Sequence, residues 1–150
     1  MAVTVSGLFV LTFIDIFDTT QLAVDLDLET DKFALFNNSV TPNFSTDTAY
    51  GVTPYNANEV SGTGYTSGGT VLTTTTVTES PTGTLMWDAA DTSWSSSTIT
   101  AARCGLAYAD ALAGNNAIVL VNFAADFSTT AGTFLVQWAS GGIMNVDLTP

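Results

Sequence analysis

From residue 71 to the C-terminus, strand-length runs of β-branched and aromatic residues alternate with short turn sequences, and that alternation restricts the chain to a mainly-β fold. Residues 71–79 (VLTTTTVTE) predict one strand rich in β-branched side chains. Pro81-Thr82-Gly83 is turn chemistry, and Thr84–Asp88 (TLMWD) reads as the returning strand of a hairpin. A further short strand begins at residues 91–94, and residues 99–108 are apolar and small. Ala113-Gly114-Asn115-Asn116 turns the chain into residues 117–123 (AIVLVNF), which read as a fully buried strand. Residues 128–132 turn again, 133–138 (TFLVQW) form a strand, Gly141-Gly142 turns, and 143–148 close the chain. Short strands at this spacing predict an antiparallel β-sandwich or barrel.

The first half is less regular. Residues 7–17 (GLFVLTFIDIF) are the one strongly apolar run, and Leu8, Phe9, Leu11, Ile14, Ile16 and Phe17 suit either a short helix or a buried strand. Ser6 could cap a helix there, and Asp18-Thr19-Thr20 could end one. Asp25, Asp27, Glu29 and Asp31 alternate with Leu26, Leu28 and Thr30, as in a half-buried edge strand or extended segment with a strongly acidic outer face. Lys32–Phe36 (KFALF) reads as a strand closed by Asn37-Asn38. Residues 39–58 lose all periodicity, and Pro42 and Pro54 forbid regular central pairing. Residues 59–69 are a strand start followed by a Gly-rich turn. The expected organisation is an apolar N-terminal arm or helix over residues 1–20 and a single β domain over 21–150.

What the chain lacks excludes most function classes. Lys32 and Arg103 are its only basic side chains, it has no histidine, and 14 acidic residues give a net charge of -12. Neutralising nucleic-acid phosphates takes several Lys and Arg side chains, so nucleic acid is excluded as a partner, and an anionic membrane surface is disfavoured. The apolar run is too short to span a bilayer, is interrupted by Asp15, and has no cationic region before it, so synthesis in the cytoplasm without secretion is expected. Charged residues are only 11% of the chain against 46% hydrophobic. Average proteins carry about 25% charge, so part of this surface is expected to be covered by neighbours in an assembly.

Chemistry-bearing constellations are few. Without histidine there is no Ser-His-Asp site and no histidine-based zinc site. Asp88 and Asp91 beside Trp87 and Trp94 could serve a glycosidase, but an acidic turn between two strands with the tryptophans in the core is the simpler expectation. The same oxygens, with Asp47, could hold calcium, although no EF-hand spacing is present. Gly62, Gly64 and Gly68 open into a Thr-rich strand rather than a helix, unlike a dinucleotide fingerprint. No catalytic residue, metal or cofactor is assigned. Cys104, among small and apolar neighbours, is expected to be an inert buried thiol. Arg103 is expected to pair with a carboxylate, within the chain or across a subunit contact.

The motif order Glu59-Val60-Ser61-Gly62-Thr63-Gly64-Tyr65, Trp87-Asp88-Ala89-Ala90-Asp91-Thr92-Ser93-Trp94, Ser97-Thr98-Ile99-Thr100, Val121-Asn122-Phe123 and Gly132-Thr133-Phe134-Leu135-Val136-Gln137-Trp138 resembles a family of small structural proteins of tailed bacteriophages. The likeness covers about two thirds of the chain, with an N-terminal region more hydrophobic than the family's amphipathic helix. It implies a virion component: a decoration or cement protein on the outer capsid surface. Such a protein binds the major capsid protein and copies of itself, as in a trimer. A tail, neck or fibre component is the alternative implied by the same likeness. A carbohydrate-binding module using Trp87, Trp94, Trp138 and Tyr65 is a third, and requires those rings exposed in a line. The candidate contacts are Leu8, Phe9, Leu11 and Phe13 on the arm, Phe44, Tyr50 and Tyr55 in the 39–58 loop, and Arg103; an apolar arm suits strand addition or groove docking.

Overall fold

The computed structural model describes residues 3–149; Met1 and Ala2, at the start of the expected arm, and Pro150 lie outside the described residues. Elements follow in the order β1 (Gly7–Leu8), α1 (Val10–Phe17), β2 (Lys32–Phe36), a 3-10 turn (Tyr55–Ala57), β3 (Thr70–Val71), β4 (Thr76–Glu79), β5 (Thr84–Asp88), β6 (Thr92–Ser97), β7 (Ala102–Ala109), β8 (Asn116–Phe127), β9 (Gly132–Val136) and β10 (Met144–Asp147). The fold is mainly β, as the strand spacing predicts, with one short α-helix among the described residues, in the apolar run that suited either helix or strand.

A five-stranded sheet, in the order β1-β8-β7-β2-β3, forms the middle of the molecule, and every pairing in it is antiparallel. On one face Phe33 and Leu35 of β2 and Ile118 of β8 share a core with Trp87, Trp94, Phe134 and Met144, which come from a three-stranded sheet (β10-β5-β4) and a two-stranded sheet (β6-β9). The alternate residues Ala34, Phe36, Cys104, Leu106, Tyr108 and Leu120 point to the other face and enter a second core. Among the described residues no further sheet covers that second face. Val3, Phe9, Val40 and Tyr55 fill it, with Phe44 and Tyr50 packed alongside. The central strands are therefore covered on both sides, which accounts for the unbroken apolar run of β2.

Three expectations are corrected. The predicted strand over residues 71–79 is two strands in two sheets: β3 joins the central sheet through β2, and β4 pairs with β5. Between them Thr74 takes a positive φ of 54° and its N–H bonds the Glu29 carboxylate, while Thr75 Oγ1 accepts from Glu29 N at 3.3 Å. Polar side chains bonding local backbone here outcompete ladder pairing. Residues 25–31 form no strand; Leu26 turns its carbonyl to Trp87 Nε1 (2.7 Å) and Asp31 is buried instead of facing water. Ser6 caps no helix, since its Oγ accepts the Asn122 N–H (2.9 Å) and Phe9 stands at the N-cap.

Candidate interaction surface

Helix α1 is weak on its own terms. Its eight residues (VLTFIDIF) are mostly β-branched or aromatic, no side chain caps its N-terminus, and its first turn has no acidic residue. A helix this short is marginal in water, so tertiary anchors must hold it. β1 pairs Gly7 with Leu120 and Leu8 with Val119, and Phe9 N donates to Ile118 O (3.1 Å). Thr12, on the buried side, donates its hydroxyl to Ala117 O (2.6 Å), and Val10 N donates to Phe44 O (2.9 Å). Phe9 is fully enclosed, with Phe44 and Tyr55 rings at 5.3 and 6.0 Å.

These anchors turn the opposite stripe outward. Val10, Ile14 and Phe17, at the i, i+4, i+7 spacing of one helical face, are 47%, 49% and 84% exposed. With Leu8 and Phe13 they line an open groove whose one charged residue is Asp18. Single exposed apolar residues are ordinary, and a contiguous stripe ending in a nearly bare phenylalanine is the candidate contact surface. A second, more polar depression runs along Phe123, Phe127, Thr133 and Leu135.

The helix ends at Asp18, whose extended backbone leaves the helix while its N–H bonds Ile14 O (2.9 Å) and its Oδ1 accepts from Thr20 N (2.7 Å). Asp15 and Asp18 thus stand at the negative end of the helix dipole, and the last turn holds no basic residue.

The candidate contact residues divide. Leu8, Leu11 and Phe13 are half-buried on the arm, and only Leu8 and Phe13 reach the groove. Phe9 and Tyr55 are corrected: both are fully buried in the second core, because the central sheet's uncovered face needs their rings. Phe44 and Tyr50 are half-buried against the same core, so the 39–58 loop serves first as a lid on its own domain. Arg103 pairs within the chain, its Nη1 3.1 Å from Asp126 Oδ1. Val10, Ile14 and Phe17 are the exposed face instead; their i, i+4, i+7 spacing marks one apolar helical face in the sequence, but such a face ordinarily packs inward, so spacing alone does not show it bare.

Other candidate sites become structural. Trp87 and Trp94 lie in the first core, Trp138 packs edge-on to Phe33 at 5.1 Å, and Tyr65 tilts against Trp94 at 5.8 Å, so these four rings form no exposed line. Asp91 accepts from Trp138 N (3.1 Å) and Gln137 Nε2 (3.3 Å), and Asp47 from Asn43 N (2.8 Å) and the Tyr55 hydroxyl (3.2 Å). Among the described residues no group of three or more acidic or cysteine side chains is placed to hold a metal ion. Burial pushes the Cys104 thiol up to about 12, which keeps it protonated. Glu59, which the sequence did not single out, accepts from Tyr50, Tyr65, Ser67 and the Gly68 N–H at 2.6–2.8 Å, tying the Gly-rich loop to the sheet. Among the described residues no helix is long and apolar enough to cross a membrane.

Comparison with known proteins finds no matching family model, no matching characterised protein and no matching solved structure.

Proposed function

We propose that this chain is a non-enzymatic virion structural protein that decorates the outer head of a tailed bacteriophage and holds the major capsid protein through α1. The observation that carries this reading is the Val10-Ile14-Phe17 stripe, left bare on a domain whose other large rings are largely packed. Composition supports it: a net charge of -12 keeps the protein off packaged nucleic acid, and low overall charge suits a surface partly covered by neighbours. The resemblance of its motif order to phage structural proteins supplies the particular assembly. The absence of histidine, and the use of Asp91 to hold the Trp138 backbone, favour a structural over a catalytic role.

Cryo-electron microscopy of intact virions carrying this protein tests the proposal. Density on the outer shell repeating with the capsid lattice, with α1 against the shell, is expected. The same map reads whether copies of the chain touch one another. Density confined to the tail or neck would move the protein to that part of the virion, and absence from the particle would sink the virion role.

A further inference from the structure

We propose that the α1 groove receives an apolar segment of a different protein that brings a lysine or arginine over Asp15 and Asp18, and that it does not receive a second copy of this chain. The inference rests on α1 being the contact surface and adds the chemistry of what covers it.

The groove has two ends with different demands. Along Leu8, Val10, Phe13 and Ile14 it is apolar and calls for apolar anchors. At Phe17 and Asp18 it closes on a negative terminus: Asp18 lines it, Asp15 adds a second carboxylate in the last helical turn, and no basic residue answers them in that turn. Cations are favoured at helix C-termini and carboxylates are not, and the local backbone N–H groups of Asp18, Thr20 and Leu22 that bond this end bring no full positive charge to it. A cation from outside would reverse that.

The chain itself cannot supply one from its side chains. It has two basic residues, and both are already engaged: Lys32 Nζ lies 2.9 Å from Asp110 Oδ2, and Arg103 Nη1 lies 3.1 Å from Asp126 Oδ1. A second copy would bring another net charge of -12 against the first with no unpaired basic side chain to offset it. Complementary charge also governs encounter rate and partner choice, so a basic-tipped segment is selected twice, by anchoring and by steering.

The test uses the full chain and paired synthetic peptides: a short amphipathic segment with leucine and phenylalanine anchors ending in two lysines, and its twin ending in two glutamates. Binding is read by NMR shifts of Ile14 and Phe17, and self-association by sedimentation over a concentration series. The lysine peptide is expected to bind at least about tenfold tighter at low salt, a preference that shrinks as salt rises. D15N/D18N should remove the preference while keeping the apolar binding, because an asparagine side chain still offers the oxygen that Thr20 N uses. F17S should weaken both peptides and leave the chain's own sedimentation unchanged. Equal binding of the twins, binding of neither, a preference unchanged in D15N/D18N, or a dimer that F17S dissolves would each overturn the proposal. Loss of F17S protein from virions without any lysine preference would leave the head-decoration role standing and sink only the partner chemistry. A lysine preference in a protein missing from virions would do the reverse.

Discussion

Tyr50 and Tyr108 stack face to face, with ring centroids 4.4 Å apart and planes 12° from parallel. Tyr108 stands on the central strand β7, and Tyr50 belongs to the irregular segment that covers that strand. Their hydroxyls reach the same loop: Tyr108 donates to Gly68 O (2.9 Å) and Tyr50 to Glu59 Oε2 (2.8 Å). One ring pair therefore joins sheet, cover and Gly-rich loop. It adds side-chain anchorage to the backbone bonds, such as Tyr50 N to Asn115 O (3.0 Å) and Ala117 N to Thr48 O (2.9 Å), that fix a long segment with little regular structure.

Tyr108→Phe keeps the stack and removes only the buried bond, leaving the Gly68 carbonyl without that donor. A loss of about 1–3 kcal/mol is expected from chemical denaturation. Tyr50→Ala removes the stack and one donor to Glu59. Hydrogen exchange should then quicken in the 39–58 and 62–69 segments more than in β7 or β8, because the sheet ladder does not depend on that ring. Uniform acceleration across the sheet would show that the cover and the sheet open as one unit.

Asp31 makes stability depend on pH. Its Oδ2 is buried without a hydrogen-bond partner, and burial first, then Asp25, push its carboxyl from 3.8 up to about 7. Below pH 3.8 both folded and unfolded chains hold the proton and there is no penalty; above about pH 7 the folded chain carries the buried charge in full. This residue's contribution should fall as pH rises across that interval. Asp31→Asn should gain stability over the parent at pH 8 and gain little at pH 4, as read by thermal melts at both. An equal difference at the two pH values would mean that Asp31 titrates in the folded chain as it does unfolded.

Strand content was legible because β-branched runs and turn residues act locally: Lys32–Phe36 and Thr84–Asp88 fall where the pattern puts them. What was not legible depends on contacts distant in sequence. Residues 71–79 have one uniform β-forming pattern, yet Glu29 reaches in at Thr74 and splits them between sheets. The alternation of residues 25–31 looks solvated, and only the packing shows Asp31 inside. The site was half legible. The apolar run over 7–17 identified the segment, but which of its faces is spent inside depends on Phe44, Tyr55 and Ala117, 35 to 105 residues from their partners on the arm. Hence the sequence pattern leaves Phe9 and Tyr55 available to a partner and does not separate them from Val10, Ile14 and Phe17.

Gly69 shows where the backbone tolerates no side chain. Its φ is +74°, and a Cβ there would overlap the Phe33 carbonyl on β2, next to the Phe33–Thr70 pairing that holds β3. Gly69→Ala therefore combines left-handed strain with a backbone clash, and a loss of several kcal/mol, about 2 or more, is expected. Gly132→Ala is the control. A Cβ there would meet only Thr130 O at 3.7 Å, with no positive φ. It should be neutral or stabilise by about 0.4–1 kcal/mol through the unfolded chain. Comparable losses from both would point to a general cost of alanine rather than the close approach at Phe33.

Phe9 and Phe17 lie eight residues apart on the same arm and divide its two tasks. Phe9 is fully enclosed between Phe44 and Tyr55, whereas Phe17 is 84% exposed and lines the α1 groove. Phe9→Ala should cost about 3–5 kcal/mol, the transfer of a ring plus the cavity it leaves. Phe17→Ser should change stability by no more than about 0.5 kcal/mol. If α1 is the surface that holds this protein to its assembly, Phe17→Ser protein should melt like the parent and yet be lost from purified particles, and Phe9→Ala protein should fail by unfolding. The two measurements, melting and particle occupancy, separate packing from attachment residue by residue. A Phe17→Ser protein that stays on the particle at parental occupancy would show that attachment runs through another face.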